Sequence, residues 1–382
     1  MDPNHIAVAL FWVSCGVLFY TFLGYPAAVF ALGRVWRREP ARGSQGAPAK
    51  PAQLTVVVVA RNEEARLTAR LQNLLASDYP AECLEIIVVS DGSTDGTEQA
   101  ARALGDFRIR LIVQPARQGK ASGLNTALAA ARGEIIVFAD ARQQFATDAL
   151  RQLASNFFDP AVGAVSGDYA TETAASNVGG GVDAYWRLEK LIRRSESLID
   201  SSIGCTGAIY AIRRRLFQPL PADTVLDDVV IPMRVAGQGS RVVFDPAARC
   251  FDPQANDPGR DTLRKQRTLA GNFQMLCRYP AWLLPWRNRL WWQLISHKYL
   301  RLAAPAFLLA LLGANVLLVG APFYDAMLAG QIAFYTAALA GFLLPSVKAR
   351  VLTWPAGFCF LNLMTVRGFF SYVSGRYRGG QW

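Results

Sequence analysis

The sequence is poor in histidine and short of acid. It has two histidines in 382 residues, and its six cysteines (Cys15, Cys83, Cys205, Cys250, Cys277 and Cys359) show no paired spacing. These shortages argue against a zinc site and against a disulfide framework. Unpaired thiols suit a reducing compartment, as for a domain facing the cytoplasm. Aspartate and glutamate number 29 against 40 lysines and arginines, a net charge of +11. No nucleic-acid motif accompanies the excess, so anionic lipid and phosphate-bearing substrates explain it better than nucleic acid.

Charge is missing altogether from residues 6–33, 302–324 and 326–347. A helix needs about 20 apolar residues to cross a bilayer, so three spans are expected. A fourth run, 351–366, is shorter and holds Pro355. A tilted span, a re-entrant piece and an interfacial helix all fit it. The first run reads as an anchor and not as a signal peptide. Met1-Asp2-Pro3-Asn4-His5 lacks a positive n-region, and the apolar stretch is too long. Arg34, Arg37, Arg38, Arg42 and Lys50 follow it, Asp325 alone lies between the next two runs, and Lys348 and Arg350 come after them. The positive-inside rule then puts the N-terminus outside and residues 34–300 in the cytoplasm.

Residues 34–53, rich in Arg, Pro, Gly and Ala, read as a linker. Strands are expected at 54–60, 85–90, 110–113 and 134–139, with helices at 64–75, 95–104 and 120–131 between them. Alternation of this kind implies a parallel α/β sheet that binds ligands at the carboxyl ends of its strands. Residues 161–255 are more irregular, with helices expected near 185–194 and 228–236. Residues 260–276 read as a basic amphipathic helix. Residues 279–300 read as an interfacial helix, because Trp282, Trp286, Trp291 and Trp292 stand among Arg287, Arg289 and Lys298. The expected organisation is an anchor (1–33), the linker, a catalytic domain (54–278), the interfacial helix, and a membrane region (301–382) with two to three apolar segments.

Four polar clusters interrupt this pattern. Asp91-Gly92-Ser93-Thr94-Asp95 follows an apolar strand, and either caps a helix or lets Asp91 bond a nucleobase or ribose. In Gln118-Gly119-Lys120, a Gly-flanked lysine opens a helix whose N-terminus can meet a diphosphate. Asp140, beyond another strand, could hold a divalent cation. The adjacent Asp227 and Asp228 suggest a base whose pKa its neighbour raises, though a solvated helix start also explains them.

Together these segments resemble the inverting glycosyltransferases of family 2, of the membrane-anchored bacterial exopolysaccharide and capsule type, with a GT-A catalytic domain. The resemblance covers roughly 54–276. It implies that Asn62, Glu63, Asp91 and Lys120 bind a nucleotide-sugar donor and that Asp140 binds Mg2+ or Mn2+. Gly204-Cys205-Thr206-Gly207 would line the acceptor side, with Asp228 as base and Asp227 beside it. The family's Asp-x-Asp here ends in Arg142, a candidate phosphate contact. The Gln-x-x-Arg-Trp of membrane polysaccharide synthases matches Arg264-Lys265-Gln266-Arg267-Thr268, which keeps Arg267, places Arg264 at the Gln position and lacks the Trp. That lack weakens a processive synthase reading. The resemblance implies inverting transfer at a bacterial inner membrane, from a donor expected to be a uridine diphosphate sugar to a lipid-linked or polysaccharide acceptor. A processive synthase and a catalytically weak nucleotide-binding scaffold are the rivals. A homo-oligomer is left open.

Overall fold

The computed structural model describes residues 3–42, 51–170, 179–252, 258–344, 347 and 349–376. Residues 43–50 of the expected linker, and Lys348, lie outside these. The sheet is built on β1 (Leu54–Ala60), β2 (Leu84–Asp91), β3 (Ile109–Gln114) and β4 (Ile135–Ala139), all parallel, in the order β3-β2-β1-β4. Every residue of β1 and β4 is buried. A strand covered on both faces takes a continuous Val/Ile run of this kind.

Side chains of β1 alternate between two cores. Val56 and Val58 pack with Leu67, Leu71 and Leu74 of α3 (Glu64–Leu75). Val57 and Val59 face the other way, toward Leu124 and Leu128, which lie past α4 (Thr97–Arg102) on α5 (Lys120–Ala130). Gly123 permits this close approach, since a Cβ there would stand 2.6 Å from Val59.

The stretch expected to be irregular completes the sheet. After β5 (Gln144–Phe145) and α6 (Ala149–Ser155) come β6 (Val162–Ala170), α7 (Gly179–Ile199), β7 (Ile209–Arg213), α8 (Asp227–Gly237) and β8 (Arg241–Phe251). Strand β7 runs antiparallel beside β4, and β6, β8 and the short β5 follow outward. The pairing of β6 with β8 slips between Ser166 and Asp168, where β8 contains Pro246. Proline belongs at such bulges because it cannot donate to the ladder.

Helix α9 (Pro258–Arg278) follows. The interfacial helix expected over 279–300 does not form as one piece. A 3-10 turn at Pro280–Leu283 precedes α10 (Trp291–Gln293), a π-helical stretch at Leu294–Tyr299, and α11 (Leu300–Leu317). The 3-10 turn opens on Pro280, and Pro285 stands beyond it. From Trp291 the backbone joins the following apolar helix.

Among the described residues, four helical stretches are long and apolar enough to cross a membrane: Asn4–Trp36, Trp291–Leu317, Pro322–Leu343 and Arg350–Val373. The first comprises α1 (Pro3–Phe19), a π-helical turn at Tyr20–Gly24 and α2 (Tyr25–Trp36). The last two are α12 and α13, and α13 carries the left-open 351–366 run past Arg367 to Val373. Helix α7 packs on α2, and α9 packs on α13. A Cβ on Gly368 would come within 2.6 Å of Leu269, so a small residue sets that contact.

Candidate active site

The carboxyl ends of β2, β1 and β4 lie side by side along the parallel part of the sheet. The strand order β3-β2-β1-β4 reverses direction between β1 and β4, and open α/β sheets bind ligands at such a switch point. Asp91 ends β2, still in register with Gln114 of β3, one residue beyond the expected strand. Its buried carboxylate accepts the backbone N–H groups of Gln118 (2.6 Å) and Gly119 (2.9 Å). Gly92 has φ +59°, and a Cβ on it would lie 2.4 Å from Arg117 N. Asp91 and Gly92 thus shape the loop that delivers Lys120.

Asn62 is in the left-handed region with φ 54°, where Asn is among the few side chains tolerated. Its Oδ1 accepts Thr94 N at 2.9 Å. Glu63 pairs with Arg66 at 3.2 Å. Asn62, and Glu63 through its backbone N–H to Thr97 Oγ1 at 2.9 Å, hold the β1 loop against the Asp91 turn.

Lys120 Nζ lies 3.1 Å from Asp140 and 3.4 Å from Asp227. Burial opposes its charge, but Asp140, Asp227 and Asp228 outweigh burial and raise its pKa. Asp227 is buried, and the Tyr210 hydroxyl donates to it at 3.3 Å. Tyr210 itself is stacked on Phe138, centroids 4.3 Å apart.

Among the described residues, the Asp228 carboxylate has no hydrogen bond or ion pair. Burial and the neighbouring Asp227 push its pKa up to about 6, against the pull of Lys120, Lys298 and Arg193. The 204–207 loop wraps it. Cys205 N donates to Asp228 O at 2.7 Å, Gly204 has φ +75°, and a Cβ on Gly207 would lie 2.9 Å from Asp228 Oδ2. Thr206 N donates to Ser166 Oγ at 2.9 Å and fixes the far side of the loop.

Arg142 pairs with Asp252 beyond β8, whose carboxylate also accepts the Tyr169 hydroxyl. Arg264 and Arg267 lie on α9. Arg267 is one turn before Gly271, whose Cα abuts Leu226 and Val225. Helical spacing places 264, 267, 271 and 274 on one face, and Gln274 Oε1 accepts Val225 N at 3.1 Å. This face borders the Asp227–Asp228 turn.

A divalent cation fits this donor set in one way. Among the described residues no group of three His, Cys, Asp or Glu side chains could cage a metal. The Asp140 side chain is 41% exposed at the cleft. One carboxylate suits a cation that keeps its waters and completes its shell on diphosphate.

Sequence reading missed Tyr210 and Arg193, whose Nη1 stands 3.4 Å from Thr206 Oγ1. Tyr210 is a polar-tipped aromatic in a buried strand, and such a hydroxyl needs a partner. Arg193 carried no signal, since charged residues surround it on α7.

Residues 55–220 match the family model described as Glycosyl transferase family 2. A beta-monoglucosyldiacylglycerol synthase from Nostoc sp. is 31% identical over 174 residues, 44% of this chain and 37% of that protein. A poly-beta-1,6-N-acetyl-D-glucosamine synthase from Staphylococcus aureus is 25% identical over 231 residues, 59% of this chain and 56% of that one. The chain therefore spans about a third to just over half the length of these relatives. A mannosyltransferase from Pyrobaculum calidifontis, solved with GDP-Man and Mn2+, superposes with a TM-score of 0.72 at 25% identity, over 95% of this chain and 99% of its own. Residues 55–220 are thus a glycosyltransferase family 2 domain, set in a mixed α/β sheet of GT-A fold between helices long and apolar enough to span a membrane.

Proposed function

We propose that the protein is a membrane-anchored inverting glycosyltransferase that moves a sugar from a nucleoside diphosphate sugar to a lipid-linked or polysaccharide acceptor. The observation that carries this reading is the Asp228 carboxylate. It is unpaired among the described residues, enclosed by the 204–207 loop and drawn toward neutral pH. Such a group takes a proton from an acceptor hydroxyl. The oxygen then attacks the anomeric carbon from the face opposite the leaving diphosphate, which inverts its configuration.

Lys120 lies between the two halves of the site. Its ammonium offsets charge on the leaving diphosphate, and Arg267 borders the same turn. Asp140 would hold Mg2+ or Mn2+, which neutralises diphosphate oxygens and spares the enzyme a general acid. Asp91 orders the loop that carries Lys120. A uridine diphosphate sugar is the proposed donor. The relative solved with GDP-Man makes guanosine diphosphate sugars the comparison arm. Thr268, at the Trp position of processive synthases, supports single additions.

The Arg-rich flank after Gly33 supports an outside N-terminus and a cytoplasmic catalytic domain at the bacterial inner membrane. Titration of UDP- and GDP-sugars with and without Mn2+, followed by transfer to a membrane lipid extract, tests the reading. Binding without transfer to any lipid-linked acceptor would move it to a nucleotide-binding scaffold.

A further inference from the structure

Behind the 204–207 loop, a second polar cluster is buried where the catalytic domain meets two of the apolar helices. His297 is 1% exposed. Its Nδ1 lies 2.8 Å from Glu196 Oε1, and its Nε2 lies 2.9 Å and 3.0 Å from the two oxygens of Glu189. Glu189 also receives Arg301 Nη1 at 2.8 Å and pairs with Arg193 at 3.4 Å. Burial opposes ionisation of Glu189, but His297, Arg301 and Arg193 outweigh it and hold this carboxyl well below its usual range. Glu196 accepts the Tyr25 hydroxyl at 2.5 Å and Ile203 N at 3.3 Å.

An ionised carboxylate only accepts, while a neutral imidazole has one donor and one acceptor nitrogen. With a carboxylate at each nitrogen, a neutral ring would aim a lone pair at one of them. The imidazolium satisfies both. The groups facing it are Glu189, Arg193 and Glu196 of α7, Tyr25 of α2, and Lys298 and Arg301 of its own helix.

Both membrane-type helices are locally π-helical here, at Tyr20–Gly24 and Leu294–Tyr299. Such turns are rare and gather at functional sites. The two meet directly. Tyr20 hydroxyl and Ser296 Oγ are 2.8 Å apart, and Trp292 Nε1 donates to the Tyr20 hydroxyl at 2.8 Å. Two paths lead on to the base. Glu196 holds Ile203 at the root of the loop, and Arg193, paired with Glu189, reaches Thr206 within it.

We propose that His297 is a positioning residue. As an imidazolium clamped between Glu189 and Glu196, it fixes the 203–207 loop against Asp228 and ties that loop to the anchoring helices. Its bearing on catalysis rests on the acceptor-side reading above, but its charge and its hold on the loop do not.

The test uses the full chain in lipid nanodiscs. With two histidines, 15N-histidine labelling gives two rings, and His5→Asn assigns them. Both nitrogens of His297 should carry protons, since each faces a carboxylate. A neutral tautomer at His297 would overturn the clamp. In His297→Gln, maleimide labelling of the buried Cys205, read by peptide mass spectrometry, should accelerate at least about tenfold, because a lone buried carboxylate is left behind. Glu196→Gln added to His297→Gln removes that charge and should restore most of the protection. An unchanged Cys205 rate in the single variant, or a double variant as loose as the single, would equally overturn the proposal. UDP or GDP binding with Mn2+ should match wild type in both. A variant that also loses nucleotide binding has lost its fold, and the wild-type nitrogen spectrum then decides alone. Sugar transfer in the single variant should fall mainly through a raised acceptor KM. Absence of transfer in wild type counts against the proposed function and leaves the histidine readouts standing.

Discussion

Asp227 and Asp228 are adjacent, yet their surroundings assign them different work. Asp227 is tied to Tyr210 and Lys120, while Asp228 faces Gly207 with its carboxylate unpaired among the described residues. Asp228→Asn keeps size and hydrogen bonding but cannot take a proton. Turnover should drop by about 10² to 10⁴ while nucleotide-sugar binding and fold persist. Full activity in this variant would remove the base from the mechanism. An NMR readout of retained anomeric configuration would remove single displacement. A base must be ionised, so wild-type turnover should rise with pH through about 6, the value to which burial and Asp227 push Asp228. Asp227→Asn removes the like charge that raises this pKa, so the rising limb should move to lower pH. An unmoved limb would show that the two carboxylates are uncoupled. The acid pair was legible in the sequence as adjacent carboxylates. Its partners were not, because Tyr210 and Lys120 reach it from β7 and α5, and only the folded sheet brings them together. His297 carried a usable signal, since an ionisable residue at the head of an apolar helix is by default a functional candidate.

The loop between Asp91 and Lys120 shows how an element makes a site. Two backbone amides are satisfied by one buried carboxylate. Asp91→Ala strands both, so UDP affinity measured by titration should weaken about tenfold or more. Asp140→Ala should weaken Mn2+-dependent nucleotide-sugar binding as well. Arg142→Ala should leave that affinity near wild type and lower thermal stability instead, because the Arg142–Asp252 ion pair is lost. A large loss of donor affinity in Arg142→Ala would restore Arg142 to the donor site. Strands β1, β2 and β4 were legible because central parallel strands must be apolar throughout. Strands β6 and β8 were not, since Gly163, Ser166, Gly167 and Pro246 blur the pattern and the bulge breaks its period. The 279–300 segment misled for another reason. Its Trp and Arg content matches an interfacial helix, but Pro280 and Pro285 break it before Trp291.

At the scale of the whole molecule, the proposed orientation is tested from outside the cell. A thiol introduced at Asp325, in the first turn of α12, should react with an impermeant reagent, and one at Ser44 should not. Reaction at Ser44 in sealed cells would overturn the topology. The apolar runs were legible from missing charge alone. How they grip the catalytic domain was not, because α7 on α2 and α9 on α13 are contacts between segments far apart in the chain. That grip has a geometric consequence for a membrane-seated enzyme. A body held at one point swivels, whereas one moored at two separate places keeps a set tilt. On the proposed membrane-anchored reading, the Asp228 side of the site then stands at a constant height above the bilayer. Under the proposed function an acceptor would be gauged by its reach, since a hydroxyl too near the lipid or too far from it misses the anomeric carbon whatever its chemistry.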